Sequence, residues 1–131
     1  MNPATLRALE AFPQQLEAHF AAFPAEARHW APPSWEGVPS EPFTAIEQLC
    51  HVRDIELDGY HVRFQRTLNE VNPTLPSIDS EALARARSYA TSSAEAAIAA
   101  FREARARTLV LLAGLQWLLG KVEAARVRAP R

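Results

Sequence analysis

The chain has 131 residues, 48% hydrophobic and 22% charged, with 14 Lys and Arg against 15 Asp and Glu for a formal net charge of -1. That length suits one domain, residues 1–131, with a core of its own, and the composition lies far from the polar, strongly charged mixtures that stay disordered. The near-neutral balance supplies no global field for nucleic acid, no run of eighteen apolar residues offers a membrane span, and the single cysteine, Cys50, excludes an internal disulfide.

Asn2 followed by Pro3 is a helix start, since Asn caps free N–H groups and Pro suits the first helical position. Leu6, Leu9, Phe12, Leu16, Phe20 and Phe23 then recur every three or four residues, predicting an amphipathic helix over residues 3–23 that Pro13 should kink or divide. The opening MNPATLRALEAF lacks a basic segment leading into an apolar one, so the expected location is the cytoplasm of a bacterial-type cell. Between Pro24 and Pro42 prolines rule out continuous helix, and Trp30 and Trp35 are expected to pack this connection onto the helices.

Ser40, Glu41 and Pro42 signal the next start, and the longest helix is predicted from there to about Asn69. Its apolar stripe is Phe43, Ile46, Leu49, Cys50, Leu57, Tyr60, Phe64 and Leu68, with Arg53 inside it. Cys50 on this stripe reads as a small buried hydrophobe. Glu47, His51, Asp54 and Asp58 share a neighbouring side, an arrangement that can attract a cation or simply face solvent. Arg53 and Arg105, both on apolar stripes, each need a partner, with Glu47 or Glu56 the candidates. His61 reads as a surface or partly buried imidazole, and His29 as a packing residue beside Trp30.

Asn72-Pro73 and Pro76 close the long helix. Asp79 or Ser80 can cap a short helix reaching Tyr89, and Ser92-Ser93-Ala94-Glu95 reads as a capping box for the next. Ala94, Ile98, Phe101, Arg105, Thr108, Leu112 and Leu115 mark its inner face, and Gly114 predicts a stop near residue 113. The remainder, Gln116 to Arg131, is left with about three turns, closed by a solvated basic fringe of Lys121, Arg126, Arg128 and Arg131. No segment alternates with period two, so no sheet is expected. A short final helix beside a long one of roughly 40 Å would leave apolar surface uncovered, which predicts a homodimer.

The segment Trp30-Ala31-Pro32-Pro33 with Trp35, then Phe43, Ile46-Glu47, Leu49, His51-Val52-Arg53-Asp54, Glu56 and Arg63, resembles the W-x-P loop and E-x-x-x-H-x-x-D-x-E helix of the DinB/YfiT-like superfamily. Pro76, Asp79, Leu83-Ala84, Tyr89, Phe101, Arg105, Leu109, Leu112 and Leu115 are similar to the same family's middle section, so the agreement covers about residues 5–115. The resemblance implies an all-α, up-down four-helix bundle with a long crossover, often dimeric. It also implies a divalent metal, nickel, zinc, iron or manganese, held by one histidine on the second helix and an H-x-x-x-H pair on the fourth. Activities in the superfamily include transferases and isomerases that use low-molecular-weight thiols.

His51 matches the second-helix ligand, but the other histidines, His19, His29 and His61, all precede residue 62, so the fourth-helix pair is missing. Three accounts stand open. The chain is a relative without a metal, kept for binding or assembly; or His19, Glu47, Asp54 or Asp58 substitutes beside His51; or the C-terminus has been altered, for instance by a reading-frame change. One imidazole with carboxylates would hold an ion weakly. Two functions follow: a metal-dependent transferase with His51 as ligand and activity reduced or lost, taking a small-molecule thiol or substrate, or a non-catalytic helical module for dimerisation or partner binding.

Overall fold

A computed structural model describes residues 2–31, 33 and 42–128, with side chains as far as Lys121. The start signal at Ser40 and Glu41, and Trp35, lie outside the described residues.

Asn2 caps α1 (Pro3–Ala22) by accepting a 2.9 Å hydrogen bond from the Ala4 N–H, with Pro3 in the first turn. Pro13 does not divide the helix, since α1 runs through it as one element with Pro13 buried. A proline inside a helix leaves the carbonyl four residues earlier without its N–H partner. Here that carbonyl is Leu9, and the Arg105 guanidinium donates to it at 3.3 Å from another helix. The cost of the proline is thus met by a tertiary contact.

After a 3-10 turn (Ala25–Ala27), the connection passes Trp30, which is 61% exposed rather than packed down as expected, and His29 is exposed beside it. The long helix occupies residues 45–69 in three continuous parts: α2 (Ala45–Asp54), a π-helical segment (Ile55–His61) and α3 (Val62–Asn69). Thr44 starts it with a capping box. Its hydroxyl accepts from the Glu47 N–H at 3.3 Å while the Glu47 carboxylate accepts from the Thr44 N–H at 2.8 Å. Asp79 caps the short α4 (Ser80–Ala86), and a left-handed Ser88 leads into a 3-10 turn (Tyr89–Thr91).

The last helix, α5 (Ala94–Arg128), is 35 residues long. Its cap is Ser93, whose hydroxyl accepts from the Ala96 N–H at 3.1 Å, so the cap sits one residue beyond the expected Ser92 and the expected box with Glu95 does not form, since the third residue after Ser93 is Ala96; Ser92 donates instead to the Ser88 carbonyl at 3.2 Å. The predicted stop near residue 113 and the short fourth helix are corrected, because α5 continues through Gly114 and Gly120. An interior glycine costs only about 1 kcal/mol relative to alanine, which the surrounding leucines and alanines absorb.

No strand occurs among the described residues, and the expected all-α class holds. α5 packs against α1 on one side and against α2 and the π-helical segment on the other. Arg102 pairs with Glu17 and Arg105 reaches back to Leu9, so α1 is antiparallel to α5. Glu56 meets Arg105 and Thr108 while Tyr60 and Phe64 approach Leu112, so the long helix is parallel to α5, and residues 70–93 form the expected long crossover. Phe43, Leu49, Cys50, Ala84, Tyr89, Ala97 and Ile98 form a core cluster, with Leu16 and Phe20 packed on it from α1. Cys50 is fully buried and free, as its stripe position predicts.

Candidate functional site

Two polar clusters lie along the long helix. The first is centred on its π-helical segment. Glu56, 2% exposed, receives a bidentate ion pair from Arg105, with Nε and Nη2 each 2.9 Å from a carboxylate oxygen. The Thr108 hydroxyl donates to Glu56 Oε1 at 2.5 Å, and His61 Nε2 lies 2.9 Å from Thr108 Oγ1 and 3.0 Å from the Ala104 carbonyl. A carbonyl only accepts, and the Thr108 proton is committed to Glu56, so His61 carries its proton on Nε2 and donates to both.

Residues five apart in an α-helix are separated by about 140°, at about 100° per residue. In a π-helix the i→i+5 hydrogen bond brings them a turn apart on one side. The segment Ile55–His61 therefore places Glu56 and His61 together against α5. Through Arg105 the same cluster holds α1, by the Leu9 carbonyl freed at Pro13. Glu56, Arg105 and Thr108 line a cleft of about 220 Å³ whose other walls are Leu9, Tyr60, Phe64 and Leu112.

The second cluster surrounds Asp54, 1% exposed. Arg53 holds it with bonds of 2.6 and 2.9 Å, Tyr89 donates its phenol proton at 2.5 Å, and Arg87 lies 2.8 Å from Oδ2 and bridges to Asp58 at 2.6 Å. Burial alone would push the Asp54 carboxyl up, but the hydrogen bonds from Arg53, Tyr89 and Arg87 outweigh it and hold the group below the usual carboxylate range. Burial, reinforced by the bond to the Asp54 carboxylate, pushes the Tyr89 phenol well above its ordinary value. Arg105 is paired with Glu56, one of its two expected candidates, but Arg53 takes its own neighbour Asp54 rather than Glu47 or Glu56.

The candidate metal residues are dispersed into these roles. His51 is half-buried with its ring 5.5 Å from that of Phe43 and tilted 59° to it. Glu47 closes the cap of α2, Asp54 is enclosed by two arginines and a tyrosine, and Asp58 pairs with Arg87. His19 lies on exposed α1 surface, its Nδ1 donating to the Gln15 carbonyl of its own helix at 2.7 Å. Among the described residues no group of three or more His, Cys, Asp and Glu side chains is arranged to hold an ion. The residues present do not fit the divalent metal that the resemblance implies. Asp54 would have to leave its bidentate arginine before it could ligate, and Glu47 and Asp58 are already drawn to the α2 cap and to Arg87.

Sequence reasoning placed Glu56 in the motif but not in a cluster with His61 and Thr108. The available signal was a glutamate, a histidine, an arginine and a threonine all falling on or beside apolar stripes. No buried side-chain nitrogen or oxygen among the described residues lacks a partner, so both clusters are complete as internal clamps.

No curated protein and no solved structure matches the chain. The family model described as DinB superfamily matches residues 8–120. That span takes in most of α1, the long helix, α4 and most of α5, and with it both polar clusters, so the chain belongs to the DinB superfamily.

Proposed function

We propose that this chain is a non-catalytic member of its superfamily, a helical module that works by binding or assembly through apolar surface its own helices leave uncovered. The observation that carries this reading is the commitment of the carboxylates around His51. Asp54 has both carboxylate oxygens held by arginines and Tyr89, and Glu47 and Asp58 each have one oxygen engaged by a cap or an arginine, so each carboxylate near the lone imidazole already has a structural partner. A buried ion pair that loses one partner is destabilised by about 3–5 kcal/mol, so drawing Asp54 away from Arg53 and Arg87 to serve an ion would work against the fold.

Metal analysis of the untagged protein after exposure to nickel, zinc, iron and manganese tests the reading, with His51→Ala beside it. The expected result is no near-stoichiometric metal and the same thermal stability with and without chelator. Near-stoichiometric metal that disappears in His51→Ala would restore the metal-dependent transferase reading.

A further inference from the structure

Three helices converge on the cleft beside the Glu56 cluster. α1 and the long helix each pack on α5 rather than on each other, and α4, which could close the fourth side, sits instead against α2 and the turn at Tyr89–Thr91. An opening of about 220 Å³ is left between them. Leu9 walls it from α1, Tyr60 and Phe64 from the long helix, and Leu112 from α5. The Tyr60 and Phe64 rings are stacked, with centroids 6.4 Å apart and planes at 27°.

The floor is polar yet neutral. Glu56 and Arg105 both line the cleft, and their charges cancel across the bidentate pair. Neither has exhausted its hydrogen bonding. Glu56 Oε1 accepts from Arg105 Nε and from Thr108, whereas Oε2 accepts only from Arg105 Nη2 among the described residues. Arg105 commits Nε and one N–H of Nη2 to Glu56 and one N–H of Nη1 to the Leu9 carbonyl, so each terminal nitrogen keeps a second N–H. His61 sits behind Thr108 and fixes the hydroxyl that holds Oε1, so the floor is set before any ligand arrives.

We infer that this cleft binds a small neutral aromatic alcohol, a one-ring phenol, with its ring among Leu9, Tyr60, Phe64 and Leu112 and its hydroxyl on the Glu56–Arg105 pair. A hydroxyl suits this floor because it either donates to the open side of Oε2 or accepts from a terminal N–H of Arg105. A charged head does not. A carboxylate would meet the buried Glu56 charge and an ammonium that of Arg105, and each would lose its water on entry. The size agrees, since a cavity of roughly 150 Å³ lined by Leu, Ile and Phe takes up benzene, and this cleft has room for a hydroxyl and a methyl group besides. Tyr60 and Phe64 supply aromatic faces and edges on which a ring packs.

The site contains none of His51, Glu47, Asp54 and Asp58. It is also separate from the uncovered apolar surface of the proposed function, which lies further along α5, where Val110 is 75% exposed, Trp117 63% and Leu119 68%. No described helix is long and apolar enough to cross a membrane. Ligand binding in the cleft therefore goes beyond the binding and assembly reading, and the two fail separately: metal at His51 would sink that reading and leave the cleft as it is.

The full chain is titrated with 4-methylphenol, toluene and 4-methylbenzoate and followed by ligand-observed and amide NMR. 4-Methylphenol should saturate with a Kd near about 1 mM, ordinary for a ligand of about eight non-hydrogen atoms. Toluene, which keeps the ring without the hydroxyl, and 4-methylbenzoate, which carries a charge, should each bind about tenfold or more weakly. Leu9→Trp fills the opening from a half-buried position on α1, and Tyr60→Ala removes a wall residue that is 45% exposed. Either substitution should weaken 4-methylphenol by about tenfold while circular dichroism stays unchanged. The comparison of the three compounds uses the unaltered chain, so it holds whether or not a variant folds. Toluene or 4-methylbenzoate binding as tightly as 4-methylphenol, no saturable binding of 4-methylphenol below about 10 mM, or binding indifferent to both substitutions overturns the proposal.

Discussion

Replacing Arg105 with methionine removes the guanidinium while keeping most of the side chain's apolar length, and leaves Glu56 2% exposed with its ion-pair partner gone. The lost contacts are the two 2.9 Å bonds to Glu56 and the 3.3 Å bond to the Leu9 carbonyl that Pro13 leaves free. An uncompensated buried carboxylate costs about 3–5 kcal/mol, and an orphaned carbonyl adds about 1 kcal/mol if water cannot reach it. Against a total stability of about 5–15 kcal/mol, Arg105→Met should remove about a quarter or more. The double variant Glu56→Leu with Arg105→Met should recover most of the ion-pair loss, because a buried pair exchanged for apolar groups of similar volume is often neutral or stabilising. It should still retain the roughly 1 kcal/mol deficit at Leu9. Urea titrations followed by circular dichroism give both values in a double-mutant cycle. A single substitution costing under about 1 kcal/mol, or a double variant as damaged as the two singles added together, would refute the view that this cluster is a desolvated internal clamp.

Acid should act on the Asp54 cluster. Asp54 has a folded pKa below its unfolded value, so the unfolded chain takes up the proton first. The stabilisation is complete above the unfolded value of about 3.9 and is lost as pH falls through the folded one. Asp54→Asn should be less stable than wild type at neutral pH and should flatten that acid limb, and denaturation midpoints between neutral pH and pH 3 would show an unchanged slope if the reading is wrong. Thr44→Ala removes one half of the α2 capping box and should cost about 1 kcal/mol by chemical denaturation. No measurable change would mean that the start of the long helix is held by packing alone.

Much of the architecture is local chemistry and was legible in the sequence. Asn2-Pro3 and Asp79 cap helices because their side chains reach N–H groups two or three residues ahead, and the three-to-four spacing of Phe43, Ile46, Leu49 and Cys50 marks a buried stripe whatever packs on it. The motif around His51, and through it the superfamily, could be read in the same way.

The tertiary structure decided three things that neighbouring residues cannot. A helical period of 3.6 sets Glu56 and His61 far apart, and only the π-helical segment, exchanging its local register for contacts to Arg105 and Thr108, unites them. Pro13 signals a break, yet α1 stays whole because an arginine 92 positions later accepts the role of the missing donor at Leu9. Gly114 resembles a stop, but a glycine ends a helix only when the chain beyond it turns away, and here the chain continues helical. In each case a local preference worth about 1–3 kcal/mol was outweighed by partners distant in sequence or by the propensity of the residues on either side.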